Sequence, residues 1–143
     1  KDFTVIAIYK NMLSHEKGFV RRILMILEDF DISIEHLPTG IDTVSVVLSD
    51  RAIDGRLQEI LEEFNTQLKP DGIEVFEDIA LIATVGAGMN RRRGVSAALF
   101  TALAEANVNI RMIDQGSSEM NIIVGVQNTD FNAAIKSIYN AFA

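Results

Sequence analysis

An internal repeat limits what this chain can fold into more than any other feature. Set against itself with a shift of 76 residues and no gap, the stretch from residue 3 to 50 lies on residues 79 to 126. Ile6 meets Ile82, Ala7 meets Ala83, Gly18 meets Gly94, Leu27 meets Leu103, Ile34 meets Ile110 and Gly40 meets Gly116. The apolar pattern between these identities repeats too, "FVRRILMILEDFDISI" over "VSAALFTALAEANVNI". Self-similarity of this kind marks one supersecondary unit used twice. The chain has 143 residues, 48% of them hydrophobic, which is enough for one mid-sized core or two small ones.

Each copy reads in the same order. "FTVIAIY" and "IALIATV" are apolar, β-branched runs of strand length. A polar loop follows, ending at Gly18 or Gly94. The next segment predicts an amphipathic helix, with Phe19, Val20, Ile23, Leu24, Ile26, Leu27 and Phe30 on one face. The matching face holds Val95, Leu99, Ala102, Leu103 and Ala106. "ISIEHL" and "TVSVVL" alternate as paired strands joined by "PTGID", and "VNIRMI" and "MNIIVGV" do the same around "DQGSSE".

A second helix then places Leu57, Ile60, Leu61 and Phe64 where the other copy has Ile135, Ile138, Tyr139 and Phe142, the shift having grown to 78. After the turn signal Lys69-Pro70-Asp71-Gly72, "IEVFE" supplies one more strand. The expectation is an α+β chain of two tandem ferredoxin-like βαββαβ units, residues 1–78 and 79–143, the second without a final strand of its own. A longer parent protein is expected on that ground.

Charge and composition exclude several classes. A net charge of -7 does not suit a phosphate-binding surface, despite the local run Arg91-Arg92-Arg93, so no nucleic-acid partner is expected. With no cysteine and only two histidines, His15 and His36, in different segments, thiol chemistry and a metal site are not expected. The sequence has neither a long apolar span nor a signal-like N-terminus, and the expected setting is cytoplasmic with no membrane partner. Gly86-Ala87-Gly88 begins like a dinucleotide fingerprint, but Arg91 stands where a third glycine is needed. Ser117, Ser118 and Glu119 have no histidine in their copy to act as a base. No catalytic residue is assigned.

Binding is the role that the pattern favours. "NMLSHEKGFVRR" and "AGMNRRRGVSAA" each put polar groups and a glycine ahead of an apolar helix. Free N–H groups at such a helix start suit a carboxylate. Ser33, Glu35 and Asp42 on the neighbouring hairpin could meet an ammonium, a combination that fits an amino acid.

The tandem, with "KNMLSHEKGF", "ISIEHLPTGIDTVSVVL", "VGAGM" and "ANVNIRMIDQGSSEMNIIVGV", resembles the C-terminal regulatory half of aspartate kinases, a pair of ACT domains. The resemblance covers almost the whole chain. It implies feedback control of the aspartate pathway by lysine or threonine, bound where ACT domains pair side by side in a homodimer. It also implies an N-terminal kinase domain, outside this chain, that binds ATP, magnesium and aspartate; no cofactor is expected here.

Carried over by the resemblance, Met12, Ser14, His15, Gly18, Phe19 and Val20 form the loop and helix-start wall, and Ser33, Ile34, Glu35, Asp42 and Thr43 face them. Backbone groups at Gly18, Phe19 and Val20 take the carboxylate, Ser33 and Ile34 contact the main-chain end, and Glu35 or Asp42 pairs with a side-chain ammonium. This arrangement favours lysine, because a buried ammonium needs an anion. Threonine alone, both amino acids together, or an ACT pair that dimerises another amino-acid-responsive protein are the alternatives. Met89, Asn109 and Ile110 mark a second site or an interface, and Arg111 in place of Glu35 disfavours an ammonium there.

Overall fold

The computed structural model describes residues 1–13, 16–85, 94–115 and 121–142. They form two compact units, Asp2–Glu77 and Asp78–Ala143, the latter together with Lys1.

In the first unit, β1 (Phe3–Tyr9) leads to α1 (Phe19–Asp29), β2 (Thr43–Ser49), the single-turn α2 (Asp50–Ile53), α3 (Leu57–Leu68) and the start of β3 (Gly72–Val85). β1 lies between β2 and β3. It pairs antiparallel with β2, Ile6 opposite Val46. Every residue from Thr4 to Ile8 is buried, so this central strand is covered on both faces. Ile6 and Ile8 meet Phe19, Ile23, Ile26 and Leu27 of α1, Val44, Val46 and Leu48 of β2, and Ile60, Phe64 and Leu68 of α3 in one core. The helix face expected from periodicity is there, except that Leu24 is 43% exposed.

The second unit takes the rest of β3, then α4 (Val95–Glu105), β4 (Met112–Gln115), β5 (Asn121–Gln127), a 3-10 turn (Asn128–Asp130) and α5 (Phe131–Phe142). β5 lies between β3 and β4, antiparallel to both. Its core gathers Ala80, Ile82, Val95, Leu99, Leu103, Ile122, Val124, Val126, Ala134 and Ile138. On α5, Ile135 and Tyr139 are 42% and 71% exposed, so they belong to the outer face and not to the apolar one that the sequence suggested.

The ferredoxin-like α+β plan is present, with three departures from the sequence reading. "IEVFE" and "IALIATV" are one continuous strand of 14 residues, β3. "ISIEHL" is not a regular strand; it meets β2 through an isolated bridge at His36–Val47, and the following "PTGID" through one at Thr39–Val44. The cause is a bulge: the Glu35 N–H donates to the Val47 carbonyl, and the Val47 N–H donates to the His36 carbonyl, each at 2.9 Å, so two residues share one partner. Pro38, which has no N–H, prevents a regular ladder beyond it.

The third departure concerns the repeat itself. Ile6 pairs with Val46, whereas Ile82 pairs with Val124. The strand after the hairpin is therefore displaced by two further residues, and the extra pair falls within the hairpin connection, well before the second helix where the ungapped reading placed it.

Candidate functional site

The site is built where β1 ends and α1 begins. Gly18 precedes α1 in the left-handed conformation, φ 77°, and α1 has no side-chain cap. A Cβ at Gly18 would meet nothing within 4 Å, so backbone conformation and not space calls for glycine. The N–H groups of the first turn have no intrahelical acceptor and point outward at the positive end of the helix dipole.

The loop into this helix is tied down from several sides. The Lys10 N–H donates to the Asp42 carbonyl at 2.9 Å. The Asn11 N–H donates to the Asp71 carboxylate at 2.5 Å, and the Met12 N–H to the Asp42 carboxylate at 3.2 Å. Met12 itself sits at φ 58°, a conformation uncommon outside glycine. Glu16 lies between two cations, 2.5 Å from Arg22 and 3.7 Å from Lys10. The Arg22 guanidinium also stands 5.7 Å over the Phe19 ring. At the end of β1, loss of hydration and the neighbouring Glu74 carboxylate push the Tyr9 hydroxyl above its ordinary pKa.

Between loop and hairpin lies an open depression of about 530 Å³. Leu13, Glu16, Gly18, Phe19 and Val20 line one side, and Thr39, Gly40, Ile41 and Val44 the other. Its size suits a small organic ligand. Ile41 is 82% exposed at its rim.

Of the residues expected from sequence, Gly18, Phe19 and Val20 line this depression. Met12 and Asp42 meet each other beside it, and the carbonyl of Thr43 accepts from the Gly40 N–H at 2.7 Å. Ser33 and Ile34 line a different depression of about 360 Å³, shared with Leu24, Leu27 and Glu28. Glu35 is exposed at the bulge, its N–H engaged by Val47. Ser14, His15 and Met89 lie outside the described residues. In the second unit Asn109 is exposed and Ile110 packs against the core.

Sequence reasoning missed Glu16, Lys10, Asp71 and the Thr39–Ile41 wall. Asp71 was legible only as part of a turn signal; its contact with Asn11, 60 residues away, has no local signature. Among the described residues no group of three or more His, Cys, Asp or Glu side chains could hold a metal ion, and no helix is long and apolar enough to cross a membrane.

Comparison with known proteins agrees with this fold. Residues 82–142 match the ACT domain family model. Aspartokinase 3 of Bacillus subtilis is 36% identical over 141 residues, covering 98% of this chain and 31% of its own length. The crystal structure of Clostridium acetobutylicum aspartate kinase superposes with a TM-score of 0.95 at 55% identity, covering 99% of this chain and 33% of that one. Aspartokinase III of E. coli, solved in complex with lysine and aspartate, gives a TM-score of 0.78 at 27% identity, covering 99% of this chain and 32% of that one. The chain thus spans about a third of the length of each of these three proteins. Two ACT-type units with aspartate kinases matching them from end to end make this chain a member of the tandem ACT regulatory regions of aspartate kinases.

Proposed function

We propose that this chain senses lysine for an aspartate kinase, binding it between the first units of two copies and so feeding back on the first step of the aspartate pathway. The observation that carries this reading is the division of the expected residues. Within one chain, Gly18, Phe19 and Val20 line one depression and Ser33 and Ile34 another. A ligand that used both sets would draw them from two chains, which makes its affinity depend on how the chains are paired.

The first-turn N–H groups of α1 receive the carboxylate of the amino acid. Ser33, Ile34 and the bulged Glu35 of the second copy receive its amino end and side-chain ammonium. An effector shifts an equilibrium only by binding one arrangement more tightly, and a pocket completed by pairing supplies that difference. Lysine bound to the relative from E. coli supports this choice of effector. Phosphoryl transfer, with its ATP and magnesium, belongs to a kinase domain and not to these residues, and the cytoplasm is the setting.

Calorimetric titration with L-lysine and then L-threonine tests the reading. Saturable lysine binding near one per chain is expected, with a shift toward dimer on ultracentrifugation. Threonine binding alone would reassign the effector, and binding of neither would overturn the reading.

A further inference from the structure

The two N–H groups that open the loop, Asn11 and Met12, are held by carboxylates from two different parts of the first unit. Asp42 comes from the segment just before β2 and takes Met12 at 3.2 Å. Asp71 comes from the turn between α3 and β3 and takes Asn11 at 2.5 Å. Successive N–H groups around a residue of positive φ form a small anion-binding concavity, and here protein carboxylates fill it.

Asp71 is itself fixed, since its own N–H donates to the Tyr9 carbonyl at 2.8 Å. The bond from Asp71 to the Tyr9 carbonyl and the bond from the Asn11 N–H to Asp71 bracket Lys10 and lock the point where β1 turns into the loop. The Lys10 ammonium adds a second tie to the same turn, donating to the Lys69 carbonyl at 2.8 Å. The α3–β3 turn thus grips the near end of a loop whose far end, at Gly18, presents the first-turn N–H groups of α1.

We propose that Asp71 is a positioning residue for the amino-acid pocket: through Asn11 it holds the start of the loop, where Leu13, two residues on, lines the 530 Å³ depression. Asp71 does not line that depression, and it acts only by holding the loop. This inference rests on the reading of the pocket as an effector site, and it adds a residue that the resemblance did not supply. A carboxylate accepts a charge-assisted bond from a backbone N–H, whereas alanine accepts none. Because both groups are exposed, the loss is a moderate one.

The test compares the wild-type chain with Asp71→Ala and Asp71→Asn, the latter retaining an acceptor oxygen. Lysine affinity should fall about three- to tenfold in Asp71→Ala, the scale of one exposed hydrogen bond, and recover most of that in Asp71→Asn. Amide exchange at Asn11 should accelerate in Asp71→Ala and not in Asp71→Asn, with or without lysine. Wild-type lysine affinity in Asp71→Ala, or unchanged exchange at Asn11, would overturn the proposal while leaving the effector reading standing. If the wild-type chain binds neither L-lysine nor L-threonine, the effector reading fails and the pocket role of Asp71 falls with it. A rise in Asn11 exchange would then mark Asp71 as a loop tether only.

Discussion

The Asp42 carboxylate accepts a hydrogen bond from the Met12 N–H at 3.2 Å, across 30 residues of sequence. Asp42 therefore braces the loop beside the pocket, with one of its two oxygens engaged. Under the proposed function, the ammonium role expected of Glu35 or Asp42 is assigned to Glu35, because Asp42 is taken up by the loop.

Asp42→Ala should destabilise the chain by about 0.5–1.5 kcal/mol, the net contribution of one hydrogen bond, and Asp42→Asn by less. Urea denaturation measures the difference. Lysine affinity should fall in the alanine variant and be largely kept in the asparagine variant, because the brace needs an acceptor and not a charge.

Glu35→Ala should weaken lysine binding by about 1.5–3 kcal/mol, the scale of a hydrogen bond to a charged group. Stability should hardly change, because the bond between Glu35 and Val47 uses backbone atoms only. Calorimetry with unchanged lysine affinity would remove Glu35 from the site.

Arg56 donates from both terminal nitrogens, to the Phe30 carbonyl at the end of α1 and the Ala52 carbonyl of α2, each at 2.6 Å. Arg56→Ala should cost about 1–2 kcal/mol by thermal or urea unfolding, since two carbonyls lose a charged donor. Arg56→Lys should recover little, because a single ammonium does not reproduce the fork of a guanidinium.

Gly125 is opposite Met112 on one side and Leu81 on the other. A Cβ there would stand 3.0 Å from the Met112 Cβ and 3.4 Å from the Ile79 Cγ2. Gly125→Ala should therefore destabilise the second unit by about 1–3 kcal/mol through overpacking. Removing the opposing Cβ in Met112→Gly should relieve part of that overpacking in the double variant, and a double-mutant cycle measures the coupling.

The Tyr9 hydroxyl has its pKa raised in the folded chain, first by loss of hydration and then by Glu74. A raised folded value means that the contribution of Tyr9 to stability is fully present below the unfolded value near 10 and is lost as pH rises through the folded value. Ultraviolet titration, with Tyr9→Phe as the blank, should place its ionisation above pH 10. Glu74→Gln should move it down.

How much of this was legible in the sequence varies with the length scale of the cause. α1 and α4 follow from a periodicity that any core-facing helix must show, and Val44, Val46 and Leu48 are buried as their alternation requires. The exceptions sit on helix faces. Leu24 and Tyr139 are apolar and exposed, since periodicity gives the angular position of a side chain and not what lies opposite it. At the site, Gly18 was legible because a left-handed turn before a helix favours glycine. Asp71 was not, because its partner comes from the far end of the unit.

The sequence by itself determined the repeat and the core-facing helices, because burial of an apolar face writes a period into the chain. Only the tertiary structure decided the pairing. A slide of two residues between copies keeps every side chain on its own side of a strand, so alternation is blind to it, and the pairs Ile6–Val46 and Ile82–Val124 reveal it. The bulge that exposes Glu35 is equally silent in the sequence, because it is a matter of which carbonyl each N–H reaches.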